Sequence, residues 1–254
     1  MVAPARDKFE ARDPTVYPVE DHVGEDSLQT FIAELLRPLL ARFLAARGVR
    51  AFVGADQFIY WKQFEPTKTI APDVYVLPGV APDIRVRSWK VWETGIVPSF
   101  ALEIVSTDER KDAEESPRRY EELGTGEVVV FDPDYALRSD SVRFRVYRRI
   151  ARRGLVLIEA TNADRVRSKA LGCYLCAVGQ GPSTRLRVGL GPRGDELLPT
   201  DAELARAGAE HAEAERERAE AERTRRQEAE AELVKLRAEL ARARKRPASP
   251  RKNG

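Results

Sequence analysis

The sequence predicts an α/β core carrying a long charged helix at its C-terminal end. Three stretches lead to that reading. Phe100, Leu102 and Ile104 alternate with Ala101, Glu103 and Val105, so a strand here is apolar on both faces except at Glu103. That is the pattern of a central strand. Pro117 to Gly124 then reads as a short helix, and Val128 to Phe131 as a second, wholly apolar strand. Strand, crossover helix, strand is the unit that builds parallel pairing. From Thr200 to Arg246 the composition shifts to Ala, Glu and Arg, which gives a solvated helix with little to add to a core.

The length of 254 residues fits one domain plus an appendage, and 43% hydrophobic residues suffice for a core. A formal net charge of +2 does not by itself declare a nucleic-acid binder. Residues 1–20 are polar and contain prolines, and no apolar run approaches the roughly 20 residues of a membrane span. A cytoplasmic protein with no membrane partner is expected. Cys173 and Cys176 form the one C-x-x-C. Zinc would need a second pair or nearby histidines, and His22 and His211 are distant. The two cysteines therefore read as structural thiols.

In chain order, residues 1–20 form a loosely ordered arm and 21–199 the folded domain. Asp26 or Ser27 can cap a first helix. Its Leu28, Phe31, Ile32, Leu35, Leu36, Leu39, Leu40, Phe43 and Leu44 repeat at three and four, a wide apolar stripe that packs on a sheet. Pro38 should kink it and Gly48 end it. Val49 to Trp61 holds a strand or two. Val74 and Val76 face one way in a short proline-bounded strand, with Asp73 at its start facing the other. Pro78 to Pro98 reads as a long irregular connection bearing Trp89, Lys90 and Trp92. After Pro133, Val142 to Ile158 forms an antiparallel hairpin, and strands near Val166, Leu175 and Leu186–Val188 extend that meander.

Arg143, Arg145, Arg148, Arg149, Arg152, Arg153, Arg165, Arg167 and Lys169 crowd this last region. They form either a solvated sheet face or a phosphate-contacting one. Residues 200–246 carry Glu–Arg pairs three apart and a short Leu233, Leu236, Leu240 seam, predicting a coiled coil mainly at the C-terminal end and a homo-oligomer assembled through it. Residues 247–254 read as a disordered basic tail.

The candidate chemistry lies in Asp73, Glu103 and Lys111. Two carboxylates on neighbouring strands can hold one divalent ion that touches a phosphate oxygen. Such an ion lowers the pKa of a water and offsets developing charge, and a lysine beside it adds to that effect. The set suits phosphodiester hydrolysis. Glu103 read alone is equally a strand-end carboxylate turned to solvent or paired with an arginine.

Pro72-Asp73-Val, Ala-Leu-Glu103-Ile-Val-Ser, Lys111-Asp112 leading to Pro117-x-x-Tyr120-x-x-Leu-Gly124, and Glu127-Val-Val-Val-Phe-Asp132-Pro133 follow in order. Together they resemble the Uma-two family of restriction endonucleases, within the PD-(D/E)XK nuclease superfamily, over roughly residues 25–200. The resemblance implies a restriction-endonuclease-like mixed sheet flanked by helices, Mg²⁺ (or Mn²⁺) as cofactor, and DNA as substrate. It assigns Asp73 to the Pro-Asp motif and Glu103 to the acidic position of (D/E)XK, with both as metal ligands. The lysine expected two residues later is Val105 here. Lys111 is the substitute, although the usual spacing before Tyr120 would fall at Ser116. Glu34, on the first helix, is a further acidic candidate, whereas Tyr120 and Asp132 read as residues that pack and terminate the core.

The leading function is a metal-dependent DNA endonuclease. The rival is a catalytically inactive nuclease-fold protein that binds nucleic acid or acts as a coiled-coil scaffold. Asp73 and Glu103 favour the first, and Val105 favours the second.

Overall fold

The computed structural model describes residues 15–17, 27–105, 116–137 and 141–244. Their contacts divide the chain into two units, Met1–Leu198 and Pro199–Gly254.

The first unit is organised around helix α1 (Ser27–Ala46). Ile32, Leu36, Leu39, Leu40, Phe43 and Leu44, spaced three and four apart, are all buried. Pro38 lies inside the helix, which continues to Ala46. Gly48, at φ 69°, then reverses the chain.

A six-stranded mixed sheet follows, built from β1 (Ala51–Gly54), β4 (Val74–Pro78), β6 (Phe100–Ile104), β7 (Glu127–Phe131), β8 (Phe144–Ile150) and β9 (Gly154–Thr161), adjacent in that order. The one parallel pair is β6–β7, joined through helix α3 (Ser116–Leu123) as the crossover pattern requires. β6 and β7 are buried along their whole length, which explains why both read as apolar on two faces. The β8–β9 hairpin turns at Arg152 and Gly154, both at positive φ.

Two smaller sheets depart from the expectation. β2 (Phe58–Tyr60), β3 (Thr69–Ile70) and β5 (Ser88–Lys90) form a three-stranded sheet, with β2–β5 parallel. The 78–98 segment is therefore not irregular throughout. It holds β5 and the short helix α2 (Val91–Thr94), and buried Trp89 donates from Nε1 to the Ile96 carbonyl at 2.9 Å. A large aromatic with one polar atom organised this loop from within.

β10 (Arg165–Ser168), β11 (Cys173–Val178), β12 (Arg185–Leu190) and β13 (Glu196–Leu197) make a four-stranded antiparallel sheet of their own rather than extending the hairpin. The cause is α1. Its stripe is too wide for one sheet to cover, so Val166, Leu175, Leu186 and Val188 join the same core cluster as α1 and as Val53, Val74, Phe100 and Leu102 of the large sheet. Truncating Leu36 in that cluster to Ala should cost about 2–5 kcal/mol. The opposite face of the large sheet packs Tyr75, Ala101, Val128 and Val130 against Tyr120 and Leu123 of α3 and against Ile59 and Trp89.

Residues 15–17 also differ from the expected loose arm. The Tyr17 ring lies 4.9 Å from Tyr60 and 5.4 Å from Trp92. Residues 1–14 and the basic tail lie outside the described residues.

The second unit is helix α4 (Asp201–Arg244). Thr200 and Glu203 open it reciprocally: the Glu203 N–H donates to Thr200 Oγ1 at 3.1 Å and the Thr200 N–H to Glu203 Oε2 at 2.7 Å. Leu204, Leu233, Leu236 and Leu240 are exposed. Among the described residues no helix is long and apolar enough to cross a membrane.

Candidate active site

The ladder between antiparallel β4 and β6 sets the site. Val74 pairs with Leu102 and Tyr75 with Ala101, so one rung further out Asp73 stands opposite Glu103. Residues opposite one another in an antiparallel pair share a face, with Cβ atoms about 4.5–5.5 Å apart. Both carboxylates therefore belong to the face that packs against α3. Asp73 is half-buried and Glu103 only 8% exposed.

Backbone and side-chain bonds fix each carboxylate. Asp73 Oδ2 accepts the Ile104 N–H at 2.5 Å, so the strand end itself orients it. The Tyr120 hydroxyl donates to Glu103 Oε1. Tyr120 is fully buried on α3, so it touches the candidate carboxylate as well as packing, which corrects the sequence reading of it as a packing residue alone. Helix α3 is in turn held from outside. Arg149 of β8 donates to the carbonyls of Glu121 at 2.8 Å, Thr125 at 3.0 Å and Tyr120 at 3.3 Å, placing a cation at the helix C-terminus where the dipole favours it. Lys68 Nζ bonds Glu122 Oε2 at 2.6 Å; that bond, set against a smaller cost of desolvation, holds the Glu122 carboxyl below its usual range.

From the other side of the sheet, α1 contributes Gln29. Its Nε2 donates to the Ile104 carbonyl at 2.6 Å. Sequence reasoning looked to Glu34 for a contribution from this helix, but Glu34 is exposed. Gln29 sits in the first turn, one residue after Leu28, and its reach to the strand end has no signature in the sequence. The strand-end carbonyl, two carboxylates and a buried hydroxyl thus gather at one corner.

A chain-own turn borders this corner. The Asp56 N–H donates to the Pro72 carbonyl at 2.9 Å, and Asp56 itself is at φ 59°. Gln57 Oε1 accepts from the Tyr75 hydroxyl at 2.9 Å and the Ala55 N–H at 3.2 Å. Gly54 makes this possible: a Cβ there would fall 2.3 Å from the Tyr75 ring. Burial drives the Tyr75 hydroxyl pKa upward, with the Asp56 charge adding to it, so the phenol stays a donor.

An all-oxygen donor set of two carboxylates and a backbone carbonyl fits a hard divalent cation. Among the described residues no three His, Cys, Asp or Glu side chains converge, so water and substrate oxygens would have to complete the shell, as is usual for Mg²⁺. Val105 is buried in the cluster beneath α3 and its N–H bonds the Phe131 carbonyl at 2.8 Å. It offers no cation. Lys111 lies outside the described residues.

The other sequence candidates take structural places. Asp132 is buried and accepts from the Asp134 N–H at 2.9 Å and Ser141 Oγ at 2.5 Å, so it terminates β7 as expected. Both cysteines are free and buried. Burial pushes the Cys173 thiol up from 9.0 to about 12, with the Cys176 and Glu127 charges adding, and raises Cys176 as well. Of the basic residues, Arg148 bonds Glu127, Arg149 caps α3, Arg165 pairs with Asp164 and Asp195, and Arg143 lies over Tyr135. These four are spent on internal contacts.

A family model described as "Putative restriction endonuclease", Uma2, matches residues 8–172, more than half of the chain. The chain belongs to the Uma2 family. The match spans the whole corner, from α1 through Asp73 and Glu103 to α3 and β7, and ends inside the second sheet. No curated protein matches the chain. One solved structure similar to it is "a putative nuclease belonging to DUF820 from Anabaena variabilis ATCC 29413", at 13% identity and a TM-score of 0.41, over 58% of this chain and 75% of that one. Uma2 membership places the chain in a family described as nucleases.

Proposed function

We propose that this Uma2 protein is a divalent-metal-dependent endonuclease that hydrolyses phosphodiester bonds in DNA. The observation that carries the reading is the rung beyond Val74–Leu102, which sets Asp73 opposite Glu103 beside the Ile104 carbonyl. Like charges directly opposite in a ladder are destabilising, and a cation between them removes that cost. Asp73, Glu103 and the Ile104 carbonyl would hold Mg²⁺ or Mn²⁺. When bound, the ion acidifies a water and offsets the charge that builds on the phosphate. The chain's own part is positional. Ile104 N–H aims Asp73, Tyr120 aims Glu103, and Gln29 holds the strand-end carbonyl.

A cation is still needed near the leaving oxygen, and Lys111 is the proposed one. The wild type should nick supercoiled plasmid with Mn²⁺, and Glu103→Gln and Asp73→Asn should not. Lys111→Met should lose about a hundredfold of that activity, the size of one well-placed electrostatic group, with metal affinity unchanged. If the wild type binds DNA but cleaves nothing across metals and substrates, the inactive nuclease-fold scaffold holds instead. Buried Val105 is the observation that favours that second reading.

The Leu233, Leu236 and Leu240 side chains exposed on α4 support its use in homo-oligomerisation. Ending the chain at Pro199 should lower the oligomer mass in light scattering and leave the core melting temperature nearly unchanged. An unaltered mass would exclude α4 as the assembly element.

A further inference from the structure

We infer that Arg145 of β8 binds a phosphate of the DNA strand whose scissile bond lies at Asp73 and Glu103. The inference rests on the endonuclease reading above and adds a substrate contact that neither carboxylate can make.

The register of the large sheet carries it. Asp73 stands opposite Glu103, Glu103 pairs with Val130 of β7, and Val130 pairs with Arg145 of β8. One rung therefore runs across four strands from the two carboxylates to this arginine. Residues paired across a ladder share a face, so Arg145 belongs to the face that bears Asp73, Glu103 and α3. Its chain neighbours Phe144 and Val146 lie in the core on the other face, as the period of two requires.

The surroundings leave this guanidinium without a protein partner. Directly opposite it stand Val130 on one side and Ala160 of the edge strand β9 on the other, and neither side chain can accept a hydrogen bond. Among the described residues Arg145 forms no hydrogen bond and no ion pair. The later arginines of β8 differ. Arg148 pairs with Glu127, and Arg149, on the same face as Arg145, bonds the carbonyls at the C-terminal end of α3. From Arg145 to Arg149 the strand advances about 13 Å, so Arg145 sits toward the other end of α3, where the helix dipole offers a cation nothing. Asp132, one residue past β7, takes its bonds from the Asp134 N–H and Ser141 instead. Arg145 is half-buried, as an arginine is when its stem packs and its head stays wet.

A phosphate is the ligand that fits. The planar fork of guanidinium N–H groups matches two phosphate oxygens at once. Two strand spacings of about 4.8 Å set the Arg145 and Glu103 backbones about 10 Å apart. Phosphates of one DNA strand advance about 3.4 Å along the axis per nucleotide. A strand crossing the sheet end along this rung thus brings Arg145 a phosphate within about three nucleotides of the one at the carboxylates. Two carboxylates repel a polyanion, and a cation fixed on the same rung offsets that repulsion while holding the strand in register.

The test reads the salt dependence of binding by the full-length protein to a fluorescent DNA duplex in Ca²⁺. In Arg145→Ala the slope of log K against log salt should become shallower by about 0.9, the value for one phosphate contact, and affinity should fall about tenfold or more. Arg145→Lys keeps the charge and should keep the wild-type slope. Arg153→Ala removes the same charge from the exposed turn at the far end of the β8–β9 hairpin, and should also keep that slope. The Arg145→Ala melting temperature should stay within about 2 °C of the wild type, because no internal contact is lost. An unchanged slope in Arg145→Ala overturns the assignment and leaves the nuclease reading standing. Equal shallowing in Arg153→Ala overturns it as well, because the effect would then be net charge. A melting temperature lowered by more than about 4 °C would make Arg145 a structural residue. Failure of the wild type to bind any DNA removes the nucleic-acid reading and this contact with it.

Discussion

Two buried glutamates on neighbouring central strands are treated in opposite ways. Glu127 opens β7 and is 1% exposed. Its carboxylate accepts from Arg148 Nε at 2.9 Å, the Lys169 N–H at 3.1 Å, the Ala170 N–H at 3.4 Å, and Ser168 Oγ. Ser168 in turn accepts the Leu171 N–H at 3.1 Å, so one carboxylate ties the large sheet to the β10–β11 turn of the second sheet. Glu103 is the penultimate residue of the adjacent β6, accepts from the Tyr120 hydroxyl, and lies one rung beyond the Val74–Leu102 pair, across from Asp73. A carboxylate that serves structure is surrounded by donors and a cation. One that faces a second carboxylate is placed to share a cation with it. The contrast distinguishes the two glutamates by their partners, where burial alone does not.

The same substitution at both positions should break the comparison open. Glu127→Gln turns an acceptor into a donor among four donors and leaves Arg148 without its anion. Removing one partner of a buried pair costs about 3–5 kcal/mol, which for a domain of this size lowers the melting temperature by roughly 6–20 °C. Glu103→Gln removes the charge opposing Asp73, so its melting temperature in metal-free buffer should equal or exceed the wild type. Equal losses at both sites would mean Glu103 is a structural lock like Glu127.

Divalent ions should sharpen the contrast with a smaller effect. A ligand at 100 times its dissociation constant stabilises the folded state by about 2.7 kcal/mol, roughly 5–10 °C here. Mn²⁺ should raise the wild-type and Tyr120→Phe melting temperatures and leave Glu103→Gln and Asp73→Asn unmoved. A rise of the same size in both acid variants would place the ion elsewhere.

The sequence exposed Glu103 because it breaks an apolar two-faced strand, and Asp73 because it follows a proline at a strand start. Period two made β6 and β7 readable because both are buried along their whole length, and Pro117 and Gly124 bounded α3 between them. Glu127 stood in view within the same motif, yet its role was hidden. Its partners lie about forty residues on, in a turn whose backbone N–H groups carry no side-chain signature. Gln29 was missed because it acts on a backbone carbonyl from the opposite face of the sheet. The second sheet was misassigned because a wide helical stripe declares that it needs cover, and not how many sheets provide it. Tyr17 escaped notice because the polar stretch around it has no periodicity to detect.

The finest distinction between the two glutamates should be audible at Cys173. Its thiol is raised from 9.0 to about 12 chiefly by burial, with the Cys176 and Glu127 charges contributing less. Because the folded state favours the neutral thiol, the stability it contributes is fully present below about pH 9 and falls as the pH climbs toward 12. Iodoacetamide at neutral pH should therefore leave Cys173 unmodified in the native protein, since the thiolate is the nucleophile. On raising the pH, peptide-resolved alkylation of Cys173 should begin earlier in Glu127→Gln than in the wild type, because one repelling charge is gone. Glu103→Gln should follow the wild-type curve, since the Glu103 charge is not among those acting on this thiol. Global unfolding would expose Cys176 equally, so an advance confined to Cys173 reads the local charge. An identical curve for all three proteins would mean that burial alone sets the thiol and that the Glu127 lock does not reach it.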